Sequence, residues 1–196
     1  VSHRDLRAAF EALLLATAEP LPRARLADIA ENHAYDRKVA LEVLDGLIEA
    51  YREDHHGIQI VEVAGGYQLA TKPAQAVWVA DLHPPRKIRL SQQALETLSL
   101  IAYKQPLIRA EIEAVRGVNP MGTLKTLMEH DLVRIVGRRD IPGRPLLYGT
   151  TKNFLKVFGL NKLSELPTVA EFADARTTQQ EIALDGAVAE TAPAEG

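Results

Sequence analysis

Apolar residues open the chain at helical spacing. Leu6, Phe10, Leu13, Leu14 and Thr17 fall on one stripe and predict a helix from about Asp5 to Ala18. Pro20 and Pro22 stop it and launch a second helix, Arg23 to about Glu31. Asp36 is placed to cap a third, Val39–Tyr51, with Leu41, Leu44, Leu47 and Ile48 facing inward. After Gly57 the period shortens to two. Ile58, Ile60 and Val63 predict a strand, Gly65-Gly66 a hairpin turn, and Tyr67 to Thr71 the return strand. Three helices followed by a two-stranded hairpin make a winged helix-turn-helix.

The order then repeats. Pro20-Leu-Pro-Arg-Ala-Arg-Leu-Ala-Asp-Ile29 returns 86 positions later as Pro106-Leu-Ile-Arg-Ala-Glu-Ile-Glu-Ala-Val115. Both copies read P-L-x-R-A-x-[L/I]-x-x-[I/V] and both follow an apolar helical run, so one supersecondary unit is used twice. In the second copy Ser91 caps a helix through Tyr103 that carries Leu95, Leu98 and Ala102. Pro106 makes the turn, Arg109–Arg116 is the second helix, and Gly117 ends it. Asn119 as cap and Pro120 as first helical residue launch the third helix, through about His130. Val133 to Val136 and Pro145 to Tyr148 are the wing strands, around Gly137–Gly143.

The expected fold class is therefore α+β, mostly helical, as tandem winged helix-turn-helix domains. The boundaries are 1–80 for the first domain, 81–90 for a Pro-rich linker, 91–167 for the second domain and 168–196 for a disordered acidic tail. Between the domains, Ala74–Leu82 reads as a short helix and His83-Pro-Pro-Arg-Lys87 as the linker core, because paired prolines favour extended backbone. Trp78 lies in this stretch and has two readings, an anchor on the first domain or part of a dimer contact. Thr151 caps a short helix, Lys152–Phe158, stopped by Gly159. This extension, with Phe154, Leu155, Phe158, Leu160, Leu163 and Leu166, reads as a clasp over its own domain's core or as a docking surface.

Charge sharpens the division. Residues 1–80 carry eight Lys/Arg against twelve Asp/Glu, residues 81–167 fourteen against eight, and residues 168–196 one against six. Two copies of one fold with opposite charge point to different partners, against a background reading of drift in surface charge. The apolar fraction of 46% is ordinary for a globular chain. No apolar run approaches the ~18 residues of a membrane span. With no leader-like opening segment, the expected location is the cytoplasm. The absence of cysteine excludes disulfides and thiol chemistry.

A winged helix reads DNA with its third helix, and neither third helix suits the task. The first carries Glu42, Asp45 and Glu49, with Glu53 and Asp54 following; the second offers Lys125 beside Glu129 and Asp131. Phosphate repels the first, and base-reading Arg, Asn and Gln are almost missing from both. The basic residues of the second copy sit on the wing and its flanks, at Arg134, Arg138, Arg139 and Arg144. Three uses fit them: solvating an exposed hairpin, docking an acidic peptide, or touching phosphate non-specifically. His55-His56 reads as a polar turn rather than a metal site, since neighbouring side chains need further converging ligands. No phosphate loop, nucleophile elbow or zinc-protease helix occurs, so no catalytic, metal or cofactor-binding residue is assigned.

The stretch Ala94-Leu-Glu-Thr-Leu98, Ile101-Ala-Tyr-Lys-Gln-Pro106, Arg109-Ala-Glu-Ile112, Arg116-Gly-Val-Asn119, Gly143-Arg-Pro145, Tyr148-Gly-Thr-Thr151, Phe154-Leu155, Phe158-Gly-Leu160 and L-S-E-L-P at Leu163–Pro167 closely resembles the bacterial segregation and condensation protein B (ScpB) family. The first copy agrees more loosely, through Pro20–Leu26 and Ala64-Gly-Gly-Tyr-Gln-Leu69 with Thr71. The resemblance implies a nucleoid-associated, non-enzymatic scaffold of the SMC–kleisin complex. It further implies a homodimer formed through the N-terminal domains, binding of the kleisin ScpA, and an indirect link to the SMC ATPase in chromosome condensation and partition. Candidate partner-binding residues are Lys104, Arg109, Glu111 and Arg116 in the signature and Arg138, Arg139 and Arg144 on the wing. The competing reading of each is a surface ion pair. The rival function is a winged-helix DNA-binding transcriptional regulator using the second wing. Two departures from the family pattern are Pro120-Met-Gly at the start of the third helix and the proline- and base-rich linker.

Overall fold

The computed structural model describes residues 3–53, 55–82 and 90–168. The linker core at 83–87, Asp54 and the tail beyond 168 lie outside them. Val1–Leu163 form one compact unit and Ser164–Gly196 another. Of the second unit only residues 164–168 are described, in a 3-10 turn at Leu163–Glu165 and the residues after it. Both winged-helix modules belong to the first unit.

The first module contains α1 (His3–Ala16), α2 (Arg23–Asn32) and α3 (Arg37–Ala50), then β1 (Ile58–Val63) and β2 (Gly66–Thr71). Leu6, Phe10 and Leu14 of α1, Leu26 and Ala30 of α2, and Ala40, Leu44 and Leu47 of α3 close on Ile60 to form its core. α1 ends two residues earlier than its apolar stripe predicts. Thr17 breaks it by turning its hydroxyl onto Glu19, accepting from the backbone N–H and donating to the carbonyl at 3.0 Å. Such local bonding competes with the helical ladder. Asp36 caps α3 as expected, its carboxylate accepting from the N–H groups of Lys38 and Val39.

The hairpin turn is Ala64-Gly65, both with positive φ, rather than Gly65-Gly66. Gly66 opens β2 for a different reason. A Cβ there would stand 2.7 Å from the carbonyl carbon of Leu21, because Leu21 and Tyr67 exchange backbone hydrogen bonds of 2.9 and 2.8 Å. The α1–α2 turn thus adds a bridge to the edge of the sheet.

A 3-10 turn (Pro73–Gln75) and α4 (Ala76–Leu82) follow. The second module then has α5 (Gln92–Lys104), β3 (Leu107–Ile108), α6 (Arg109–Arg116), α7 (Met121–Glu129), β4 (Val133–Arg138), β5 (Leu146–Thr150) and α8 (Lys152–Phe158). Its sheet runs β3-β5-β4, all antiparallel. β3 is absent from the sequence expectation because two residues carry no period. It is the counterpart of the Leu21 bridge: Leu107 pairs with Tyr148 as Leu21 pairs with Tyr67. A bulge at Val136 interrupts β4.

Ser91 and Thr151 cap α5 and α8, and Gly117 and Gly159 end α6 and α8 in the left-handed region, as their residue types require. Pro120, by contrast, lies just outside α7, which starts at Met121. Asn119 still serves it, accepting from the Met121 N–H at 3.0 Å.

Candidate partner-binding surfaces

The third helices present no base-reading face. On α3, Asp45 holds Arg23 of α2 in a two-pronged ion pair at 2.5 and 2.6 Å. Bonding to that guanidinium keeps the Asp45 carboxyl below its usual range and raises Arg23 further. Arg37, at the start of α3, donates to Asp28 and Glu31 of α2 at 2.7 Å each. The first helix-turn-helix therefore spends its two best-placed arginines on its own carboxylates. On α7, Lys125 lies 3.8 Å from Glu129, and Met121, Gly122 and Thr126 make up the rest of the exposed face.

The seven charged candidates separate into three groups. Glu111 stands at the third position of α6 and accepts from the Ile108 N–H at 2.9 Å, which is half of a capping box. The same carboxylate bonds Arg139 from the wing. Arg139 first, and the Ile108 N–H second, hold the Glu111 pKa low. Arg116 bonds Glu96 of α5 and its side chain is only 16% exposed. Arg139, Glu111 and Arg116 thus join elements of their own module. Arg109 sits 3.6 Å from Glu113 one turn along α6, an exposed and weak pair.

Lys104, Arg138 and Arg144 remain. Lys104 is exposed in the last turn of α5. Arg138 donates to the Arg144 carbonyl at 3.2 Å, and Arg144 has a φ of 39°. Among the described residues none of these three, nor Arg134, has a carboxylate within ion-pair distance. Beside them β4 exposes Ile135 and Val136, and the wing loop Ile141. The wing is therefore an apolar edge strand studded with cations, a surface that can take an extended, acidic segment by strand addition.

The apolar extension does two jobs. Phe154 is buried in the second module, and Asn153 donates to the His130 carbonyl at 3.2 Å. Lys156 crosses to the first module, donating to the Ala18 carbonyl at 2.9 Å and lying 3.6 Å from Glu19. The Ala64 N–H at the first hairpin reaches the Leu160 carbonyl at 2.8 Å. Of its six apolar residues only Phe154 is buried in the core, while Phe158 and Leu163 are exposed, and the extension is also a tie between modules, which its sequence does not announce.

His55 and His56 tilt against each other 4.0 Å apart, with Tyr51 stacked on His56 and Glu53 3.3 Å from His55. No group of three or more His, Asp or Glu side chains converges as a metal site among the described residues. No described helix is long and apolar enough to cross a membrane.

Comparison with known proteins relates the chain to a family. Residues 8–169 match the family model described as segregation and condensation complex subunit ScpB. The chain is 45% identical over 181 residues to segregation and condensation protein B of Syntrophotalea carbinolica, covering 92% of this chain and 90% of that one. It is 48% identical over 159 residues to the protein of that name from Symbiobacterium thermophilum, covering 81% and 71%. A solved dimer of the ScpB N-terminal domain complexed with ScpA peptide is 33% identical, with a TM-score of 0.37, covering 41% of this chain and 94% of that one. The match spans nearly all of the described residues in both modules, and the chain belongs to the segregation and condensation protein B family.

Proposed function

We propose that this chain is a non-enzymatic scaffold of the bacterial SMC–kleisin complex, acting in the cytoplasm at the nucleoid. It self-associates through the first module, residues 1–80, and grips the kleisin ScpA with the second, residues 91–167, across the 81–90 linker. Through ScpA it reaches the SMC ATPase and biases how the kleisin bridges the ATPase heads during chromosome condensation and partition.

The observation that carries this reading is the state of the two helix-turn-helix faces. Arg23 and Arg37 of the first are paired with carboxylates of their own module, while Arg138 and Arg144, with no carboxylate in ion-pair distance among the described residues, lie on the second wing beside exposed apolar side chains. Such a surface suits a polypeptide better than a base edge. Lys104, Arg138 and Arg144 are assigned direct contact with the kleisin, together with Arg109. Glu111, Arg116 and Arg139 are assigned to holding that surface in shape. Family membership supports the partner, since a relative's N-terminal-domain dimer was solved with an ScpA peptide, which in that relative puts a kleisin contact on the first module and not on the second alone.

Two measurements test it. Co-expressed with its own ScpA, the chain co-purifies as a complex of defined mass, and R138E/R144E weakens that complex without changing the fold. On duplex DNA it binds weakly and without sequence preference, with a Kd no tighter than about 10⁻⁶ M at physiological salt. Tight, sequence-specific binding with a steep salt slope refutes the scaffold reading in favour of a regulator.

A further inference from the structure

The second wing carries an open sheet edge. β4 lies at one end of the order β3-β5-β4, with Ile135 47% and Val136 43% exposed on it and Ile141 43% exposed in the loop that follows. An edge strand leaves outward-facing N–H and C=O groups without sheet partners, a template that folded proteins usually cover. Arg134 and Arg138 belong to the same strand, and neither has a carboxylate within ion-pair distance among the described residues. Elsewhere in the module Arg109, Arg116, Lys125 and Arg139 face Glu113, Glu96, Glu129 and Glu111. The register on β5 sorts the strand by face. Ile135 stands opposite Tyr148 and Arg134 opposite Gly149, so the apolar residue and the cation lie on opposite sides of the sheet.

The sequence holds a segment of complementary kind. Residues 168–196 carry six Asp/Glu against one Lys/Arg. Within them Glu181-Ile-Ala-Leu-Asp185 alternates, so that a strand made of it would set Ile182 and Leu184 on one side and Glu181 and Asp185 on the other. Five such residues span about 17 Å, close to the length of the six-residue β4. The first module makes a poor alternative seat. Its α4 exposes Val77, Leu82 and Trp78, the last 75% exposed rather than anchored on its own module, but residues 1–80 carry twelve Asp/Glu against eight Lys/Arg. An acidic segment is repelled there and attracted to the wing.

We infer that Glu181–Asp185 adds as an extra strand to β4 of its own chain, with Ile182 and Leu184 on the side of Ile135 and the two carboxylates on the side of Arg134. This rests on the use of the wing for the kleisin proposed above and extends it: the tail covers the edge until the kleisin displaces it. In strand addition the backbone supplies affinity and the alternating side chains supply register. Reach is sufficient. Glu181 is 13 positions beyond Thr168, a length of chain that spans about 20 Å on average and about 43 Å at most. A module of this size measures roughly 30 Å across. Tethering makes a weak contact count. At the ~1 mM effective concentration of a short tethered segment, a contact with a Kd of about 0.1 mM is occupied about 90% of the time and lowers the apparent affinity of a competitor about 10-fold.

The chain has no cysteine, so A187C gives the full chain a single site for a nitroxide label beside the docking segment. Amide signals are then followed by NMR. The label is expected to broaden the signals of β4 and to spare those of α3. E181K/D185K is expected to abolish the broadening and to tighten ScpA binding about 10-fold. Adding R134E/R138E to that variant exchanges the charges and is expected to restore the broadening. Sharp β4 signals in the labelled chain, broadening spread evenly over both modules, or broadening that E181K/D185K leaves unaltered each overturn the inference. So does broadening found only in an unlabelled copy mixed with the labelled one, which would place the contact between chains. A docked tail whose charge reversal leaves ScpA affinity unchanged, while R138E/R144E weakens the complex, overturns the competition. If R138E/R144E leaves ScpA affinity unchanged as well, the docking stands and the kleisin reading of the wing falls.

Discussion

Glu111 holds two structural elements with one carboxylate, and its removal can be worked through from the geometry. One oxygen accepts from the Ile108 N–H, a donor orphaned by the start of α6; the other takes Arg139, which brings the wing against that helix. In E111A the cap costs about 1 kcal/mol. The ion pair adds about 0.5 kcal/mol, at the low end because its side chains are 33% and 39% exposed. R139A removes the pair and a long bond of 3.4 Å to the Pro106 carbonyl, so it should cost about 0.5 kcal/mol. E111Q keeps an acceptor for Ile108 and loses the charge, placing it between the two. The expected order of urea midpoints is therefore wild type, R139A, E111Q, E111A, at constant m. The double variant E111A/R139A should be no worse than E111A, because the arginine has already lost its partner. If E111A proved no more costly than R139A, or E111Q as costly as E111A, the capping argument would fail and Ile108 must find another acceptor.

Three further outcomes follow from the same reasoning. Asp45 and Glu111 both have folded pKa values below their unfolded ones. Their stabilisation is fully present above the unfolded values of about 3.9 and 4.3 and is lost as pH falls through the depressed folded values, so urea midpoints should be insensitive to these groups from pH 7 to 5 and drop below about pH 4. D45N and E111Q should flatten that acid limb, and an unchanged limb in both would refute the assignment. G66A should destabilise by about 1–3 kcal/mol, since its Cβ meets backbone at Leu21 and Pro20, whereas G46A, in open space within α3, should stabilise by about 0.5–1 kcal/mol in thermal melts. Q105A should cost about 1–3 kcal/mol by urea titration. Its carboxamide accepts from the Thr150 N–H at 2.7 Å and donates to the Thr150 hydroxyl at 2.9 Å, both partly buried, and a neutral result would mean that water replaces it.

The helical frame was legible because it depends on local chemistry. Caps at Asp36, Ser91 and Thr151 and stops at Gly117 and Gly159 work through atoms within a few residues. What escaped depends on long-range contact. The strand partners of Leu21 and Leu107 lie some forty residues away in sequence, and two-residue strands have no alternation to detect. The site was legible as a list of cations but not as a surface. Arg138 and Arg139 are neighbours of the same type, yet Arg138 ends β4 and Arg139 begins the wing loop, and one meets Glu111 while the other stays without a carboxylate.

The repeat itself shows which part of the unit was free to change. Leu26 and Ile112 are equivalent and both fully buried, and Tyr67 and Tyr148 each receive the turn residue that follows an equivalent proline. These positions fix how a helix lies on the sheet, and replacing them would open cavities costing about 2–5 kcal/mol each. Ala30 and Arg116 are also equivalent, yet Ala30 is buried in the first core while Arg116, 16% exposed, reaches out to pair with Glu96. The repeat thus keeps the residues that seat a helix on the sheet and varies the one beside them, exchanging a buried methyl for a paired charge.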